Sequence, residues 1–470
     1  MRMNLLLSSR TGALLLSASV VVLGGCSTFE PDGGFAPVQR ETQLRTGLKA
    51  QWLRSDAEQT SARQEVSALL SKTLSVDDAV QVALLNNRGL QAAYAELGVS
   101  EADLVQASRL PNPSISFGRL RRGDEVEFDH GLQFNLARML TAPLVSGIEA
   151  RRFEQTRRIA TLETLSLVFE TRKAWFNAVA AKEAVRYAQQ VLQSAEIGEE
   201  LASRMAAAGN WSKLDHAREQ GFYADAALGL ARTTQAELNA REKLTRLMGV
   251  WGEQLSFNLP DRLPELPKMP TDQPDVEQVG MAQRLDVQAM KAQSEGLARN
   301  LGLSKVTRFL NVLELGAVSN TSNAALTQRG YVVSLEVPLF DWGSARTAKA
   351  EAMYMQSVDR LSQTAVNARS EIRQSYAAYR SSYDIARHYK DEVVPNRKRV
   401  SEENQLRYNG MFIGVFDLLA DARSQVMAVN GYIDALRDFW LAQSDMQLAL
   451  VGPPPLSSSA ASVSSTAASN

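Results

Sequence analysis

Few residues in this chain have types and spacing that could do chemistry. His130, His216 and His388 are its three histidines and fall in different stretches, and Cys26 is its single cysteine. A zinc-type centre needs three or four such ligands at short, paired spacings, and none occurs. Gly24-Gly25 and Gly33-Gly34 lack the strand-to-helix context in which glycine amides cradle a phosphate. With no second cysteine, no disulfide can form within one chain. The reading is therefore of a protein that is not an enzyme and carries no metal site or cofactor. The 51 basic and 52 acidic residues leave a net charge of -1, which gives no bias toward polyanions, so nucleic acid is not an expected partner.

Cys26 points to another chemistry. Arg2 and Arg10 precede an apolar run from Ala13 to Leu23, followed by Leu23-Gly24-Gly25-Cys26. The run is about half the ~20 residues that a membrane-spanning helix needs, so residues 1–25 read as a cleaved secretory signal. Small residues leading into a cysteine resemble a lipobox, which implies lipidation at Cys26. Ser27, where aspartate would signal inner-membrane retention, implies outer-membrane delivery. Residues 26–73 then form a lipidated N-terminal segment.

Carboxylates are the remaining candidates. Glu402 and Glu403 lie within about two helical turns of Gly410, as Glu199 and Glu200 do of Gly209. They are either solvated helix-surface groups or a ring at the end of a helical assembly, where repeated copies would attract cations.

The elements that must position these groups repeat. Two halves, 74–252 and 275–452, each read as helix, two short strands, very long helix, tight turn and long helix. Between them lies a Pro-rich linker, 253–274, holding five of the chain's fifteen prolines, from Pro260 to Pro274. Ala142-Pro143-Leu144 matches Val337-Pro338-Leu339 as the end of each strand region, and Trp175 matches Tyr376. Leu214-Asp215-His216-Ala217-Arg218 matches Leu419-Ala420-Asp421-Ala422-Arg423, and Leu247-Met248-Gly249 matches Leu450-Val451-Gly452. Helix is strongest from about Gly147 to Met205 and from Ser344 to Tyr408, with Pro395 as an exception. About 60 helical residues would extend roughly 90 Å, too long for a compact domain. Leu162, Leu165, Val168, Phe169, Ala174, Phe176 and Val179 form one narrow apolar stripe, which suits a barrel of helices with a wet face. The tail, 453–470, is rich in Ser and Ala and reads as disordered.

Strands set the membrane argument. Glu127 to Ala137 alternates, with Phe128, Leu132, Phe134 and Leu136 on one face, and Tyr331, Val333, Leu335 and Val337 share a face in the second half. Ser114 to Arg121 is the first-half partner strand. Arg122-Gly123-Asp124 and Asn320-Thr321-Ser322-Asn323 are the polar connections. Four strands cannot close a barrel in lipid without unpaired edges, so several chains must share one.

These segments resemble the TolC-type outer-membrane efflux family over nearly the whole mature chain. Leu74-Ser75-Val76-Asp77-Asp78-Ala79-Val80, with Ala83 to Asn87, is similar to the family's opening helix, and Leu110-Pro111-Asn112-Pro113 to its exit into the first strand. Pro338-Leu339-Phe340-Asp341-Trp342-Gly343 is similar to its return to the long helix. Arg88 and Leu285 stand where the family often has proline. The fold class expected is mainly α with a small β part: duplicated long helical hairpins forming a trimeric α-barrel, joined to a 12-stranded transmembrane β-barrel with four strands per chain. The resemblance implies a homotrimer anchored in outer-membrane lipid and reaching into the periplasm, where it meets a periplasmic adaptor (membrane fusion protein) and an inner-membrane pump. It implies a passive exit duct of a tripartite efflux or type I secretion system. An acidic constriction is implied near the second turn, with Glu402 and Glu403 as candidates. Gly209, Asn210 and Trp211, with Gly410, Met411 and Phe412, are the candidate adaptor-contact tips, their side chains turned either outward or into the helix packing. The alternative is a periplasm-spanning coiled-coil scaffold lipoprotein without a pore.

Overall fold

The computed structural model describes residues 28–309 and 312–453. The predicted signal, Cys26 and nearly all of the predicted tail lie outside the described residues. The chain divides into two units, one from residues up to Pro37, Tyr94–Ala160 and Val287–Thr364, the other from Val38–Ala93, Thr161–Asp286 and Ala365 onward.

Element order follows the sequence pattern. Helices α1 (Ala36–Thr46) and α2 (Asp56–Leu70) come first, then α3 (Val76–Asn86), α4 (Arg88–Ser108), β1 (Ser114–Arg122), β2 (Glu125–Asn135), α5 (Leu136–Ala207) and α6 (Lys213–Met248). The order then recurs as α7 (Val276–Gln283), α8 (Leu285–Val306), β3 (Leu313–Ser322), β4 (Gln328–Leu335), α9 (Ser344–His388), α10 (Val394–Asn409) and α11 (Val415–Val451). None of the described helices is long and apolar enough to cross a membrane.

Four boundaries differ from expectation, each for a local reason. α5 starts at Leu136 rather than near Gly147, so Pro143 lies inside the helix and does not end the strand region. The Asn135 side chain accepts from the Arg138 amide at 2.8 Å, a cap that starts the helix directly off the strand. β2 correspondingly ends at Asn135. Asn320, Thr321 and Ser322 pair within β3, and the connection runs from Asn323 to Thr327. The second long helix is broken by a π-helical turn, Tyr389–Val393. Proline at 395 offers no amide and crowds the preceding turn, and the wider turn, with the Val394 amide on the Tyr389 carbonyl, accommodates it.

In the helical unit the expected stripe from Leu162 to Val179 is buried throughout. Its end at Ala174, Phe176 and Val179 meets Leu244, Met248, Tyr379, Tyr383 and Phe439 in one core. Ser75 caps α3 with Asp78 reciprocating, as its sequence indicates. Both halves break their opening helix pair at a gripping residue. Asn87 donates to the Leu247 carbonyl at 2.9 Å, and Arg284 to the Ala449 carbonyl at 3.2 Å. Each break thereby satisfies carbonyls at the end of a returning helix.

The proline-rich segment is a strap laid on the core, not a free connector. Leu259, Leu263 and Leu266 are buried. Its carbonyls accept from long-helix side chains: Leu259 from Lys182 Nζ at 2.7 Å, Pro264 from Trp440 Nε1 at 3.1 Å and Lys268 from the Tyr383 hydroxyl at 2.8 Å. Prolines suit such a strap because their missing amides need no partner.

Candidate functional site

Two regions carry the candidate residues, and each is described within its own unit. The first is the sheet, with strand order β1-β2-β3-β4, antiparallel throughout. Register sorts its side chains by chemistry. Ile115, Leu132, Ala317 and Tyr331 lie side by side, and toward the helices follow Phe134, Leu315 and Val333, then Leu313 and Leu335. The opposite face holds Ser116, Glu127, Asp129, Gln133, Asn320 and Gln328 among others, interrupted by Leu120, Val318 and Val332. Gly316 lets the Gln133 side chain lie over this polar face: a Cβ there would meet Gln133 Cγ at 2.7 Å. The apolar face is open in a single chain, with Tyr331 80% exposed and Ile115 81%. β1 and β4 are the free edges of the sheet.

The second region is the pair of hairpin turns. At the first, Gly209 has a left-handed φ of 74°, and the Asn210 amide reaches the Met205 carbonyl at 3.0 Å, closing the helix in a Schellman-type turn. Ser212 then caps α6 by accepting from the Asp215 amide at 3.1 Å. At the second, the left-handed residue is Met411, φ 59°, not Gly410, and the Phe412 amide closes onto the Arg407 carbonyl at 2.8 Å. Gly410 serves differently: a Cβ there would meet the Phe412 ring at 2.8 Å. Counted from Gly209 and Met411, the turns match residue for residue through Asp215 and Asp417, whose carboxylate accepts from the Gly414 amide at 3.3 Å. Asp421 and Arg423, matched in sequence to His216 and Arg218, therefore sit about one helical turn farther from their tip.

Met411 is 94% exposed and Phe412 83%, whereas Trp211 is half-buried. Glu402 and Glu403 are exposed on α10, with Lys398 Nζ 3.9 Å from Glu402. Glu200 pairs with Arg204.

A polar cluster behind the tips was missed in the sequence. Glu219 on α6 is 1% exposed, and its Oε1 accepts from Arg423 Nη2 of α11 at 2.7 Å. The guanidinium lies 4.1 Å over the Phe222 ring. Nearby, His216 Nε2 is 3.5 Å from Glu199 Oε1. Glu219 Oε2, Asp421 Oδ2 and Arg423 Nε are buried with no hydrogen-bond partner. The signal was present only as single charges on separate helices some 200 residues apart, which no local pattern pairs.

The other histidines lie apart. His130 stacks 5.1 Å from Phe117 on the sheet, and His388 lies 3.4 Å from Glu392. Among the described residues no group of three or more His, Cys, Asp or Glu could hold a metal ion.

No protein-family model matches the chain. It is 25% identical over 378 residues to the cobalt-zinc-cadmium resistance protein CzcC of Cupriavidus metallidurans, covering 77% of this chain and 86% of that protein. Its fold is similar to the CmeC outer membrane channel of Campylobacter jejuni, at TM-score 0.69 and 17% identity over 80% of this chain and 85% of that one. It is likewise similar to the open state of the MtrE outer membrane channel of Neisseria gonorrhoeae, at TM-score 0.67 and 19% identity over 81% and 89%. The chain is thus similar in sequence to a cobalt-zinc-cadmium resistance protein and similar in fold to solved outer-membrane channels.

Proposed function

We propose that this protein is the outer-membrane channel of a tripartite export system, a passive exit duct assembled from three copies. The observation that carries the reading is the four-stranded sheet, with one apolar face, one polar face and two unpaired edges. Unpaired backbone groups are not tolerated in lipid, and one chain supplies too few strands for a closed barrel. Three chains supply twelve, and the polar face then lines a lumen. The two similar segments, 74–252 and 275–452, would contribute helical hairpins to a common periplasmic barrel, while a lipid on Cys26 anchors the N-terminus.

In this reading Glu402 and Glu403 face the lumen near the second turn. Met411 and Phe412 suit contact with a periplasmic adaptor, because exposed apolar anchors at a tip gain most from burial. An inner-membrane pump supplies energy and selectivity, in efflux or type I secretion. The likeness to CzcC makes divalent metal ions the first cargo to try.

Purified full-length protein in planar bilayers tests the reading. Heat-sensitive oligomers with steady conductance are expected, with reduced cation preference in Glu402→Gln/Glu403→Gln. A water-soluble monomer after removal of the lipid would instead fit the scaffold.

A further inference from the structure

The apolar face of the sheet carries a second pattern, at the end nearer the strand turns. Arg119 and Arg121 on β1 and Arg329 on β4 share that face with Phe128, His130 and Ser319. All three arginines are exposed, and each lies on an edge strand. Arg119 is 5.8 Å over the Phe128 ring, and Arg121 Nε donates to the Gly123 carbonyl at 2.9 Å. Neither contact neutralises charge. The face holds no acidic residue at all, while Glu125, Glu127, Asp129 and Glu314 are all on the other face.

From this segregation we infer that the face binds the phosphate groups of membrane lipid, through a basic belt above its apolar band. The inference rests on the channel reading, which puts this face against lipid. The charge then has only lipid headgroups to meet, because the acids of the sheet line the lumen. Closing a barrel joins β1 of one copy to β4 of the next, which gathers the three guanidinium groups of this face at each junction. Such like charges repel unless an anion lies between them, and a guanidinium fork fits phosphate oxygens closely. From Leu335 the face is apolar as far as the Ile115–Tyr331 row, then carries Arg329 and reaches the Arg119–Phe128 row after roughly 27 Å along the strands, comparable to the lipid-facing band of membrane barrels. The arginine stems can therefore lie on this band while their heads reach the headgroup level.

The test uses the full-length protein and Arg119→Gln/Arg121→Gln/Arg329→Gln, reconstituted with a diphosphorylated glycolipid (lipid A) or its dephosphorylated form, and measures lipid retained through detergent washing. Wild type is expected to retain the phosphorylated form about tenfold better, with the preference weakening in salt, and the triple variant to lose it at unchanged conductance. Arg329→Gln alone, which leaves β1 intact, should lose about threefold and serves if the triple variant does not assemble. Equal retention of both lipids by a conducting wild type overturns the inference alone. So does a conducting triple variant with wild-type preference, or full displacement of lipid by inorganic phosphate. A wild type that neither assembles nor conducts overturns the channel reading together with it.

Discussion

Glu219 is buried on α6, with Arg423 as its one hydrogen-bonding side chain among the described residues. Removing one member of such a pair leaves the other desolvated, so Arg423→Ala is expected to cost about 3 kcal/mol. Because the pair joins α6 to α11 just behind the tips, the loss should open that end first. Hydrogen exchange of the α6 amides from Lys213 to Phe222 should accelerate while those near Leu244 stay protected; unchanged exchange behind the tip would contradict a clamp. Glu154 contributes a pH dependence in the other unit. Burial pushes its carboxyl up, but hydrogen bonds and charge from Arg157 and Arg158 outweigh this and hold it below the ordinary range. A depressed carboxylate contributes stability above its unfolded value, which is lost as pH falls through the folded one. Glu154→Gln should thus be about 1 kcal/mol less stable at pH 7, with a shallower decline in melting temperature on acidification below about pH 4.5.

At the scale of elements the two turns share one geometry built on different residues. Glycine supplies the left-handed position at Gly209, but Met411 occupies it in the second turn at a steric cost. Met411→Gly is expected to raise thermal stability by up to about 1 kcal/mol, and Gly209→Ala to lower it by a similar amount. Paired melting curves decide this, and a destabilised Met411→Gly would mean that the side chain contributes packing instead. The helix cap at Ser75 and the strand alternation were legible, because each depends on neighbours within a few residues. The start of α5 was not, because the Asn135 cap competes with a proline signal eight residues on, and the cap prevails. Gly410 misled for a similar reason: glycine at a turn suggests left-handed backbone, whereas here its missing side chain makes room for the Phe412 ring.

For the whole molecule, the two faces of the sheet set the test. Val333 lies on the apolar face and Val332 on the polar one. A lysine in lipid costs about 2–4 kcal/mol at mid-depth, so Val333→Lys should deplete heat-sensitive oligomers from outer-membrane fractions while Val332→Lys retains them. Equal loss in both variants would show that the faces do not differ in environment.

The sequence by itself determined the order of elements, the apolar stripe of α5, the caps and the alternation of the strands, since all follow from periodicity and short-range hydrogen bonding. Tertiary structure decided which strand is an edge, which side chains stand abreast across four strands, that the proline strap lies on the core, and that Glu219 meets Arg423. Those pairings join residues as much as about 200 positions apart, and their energies depend on burial and register, which arise only when the chain has folded.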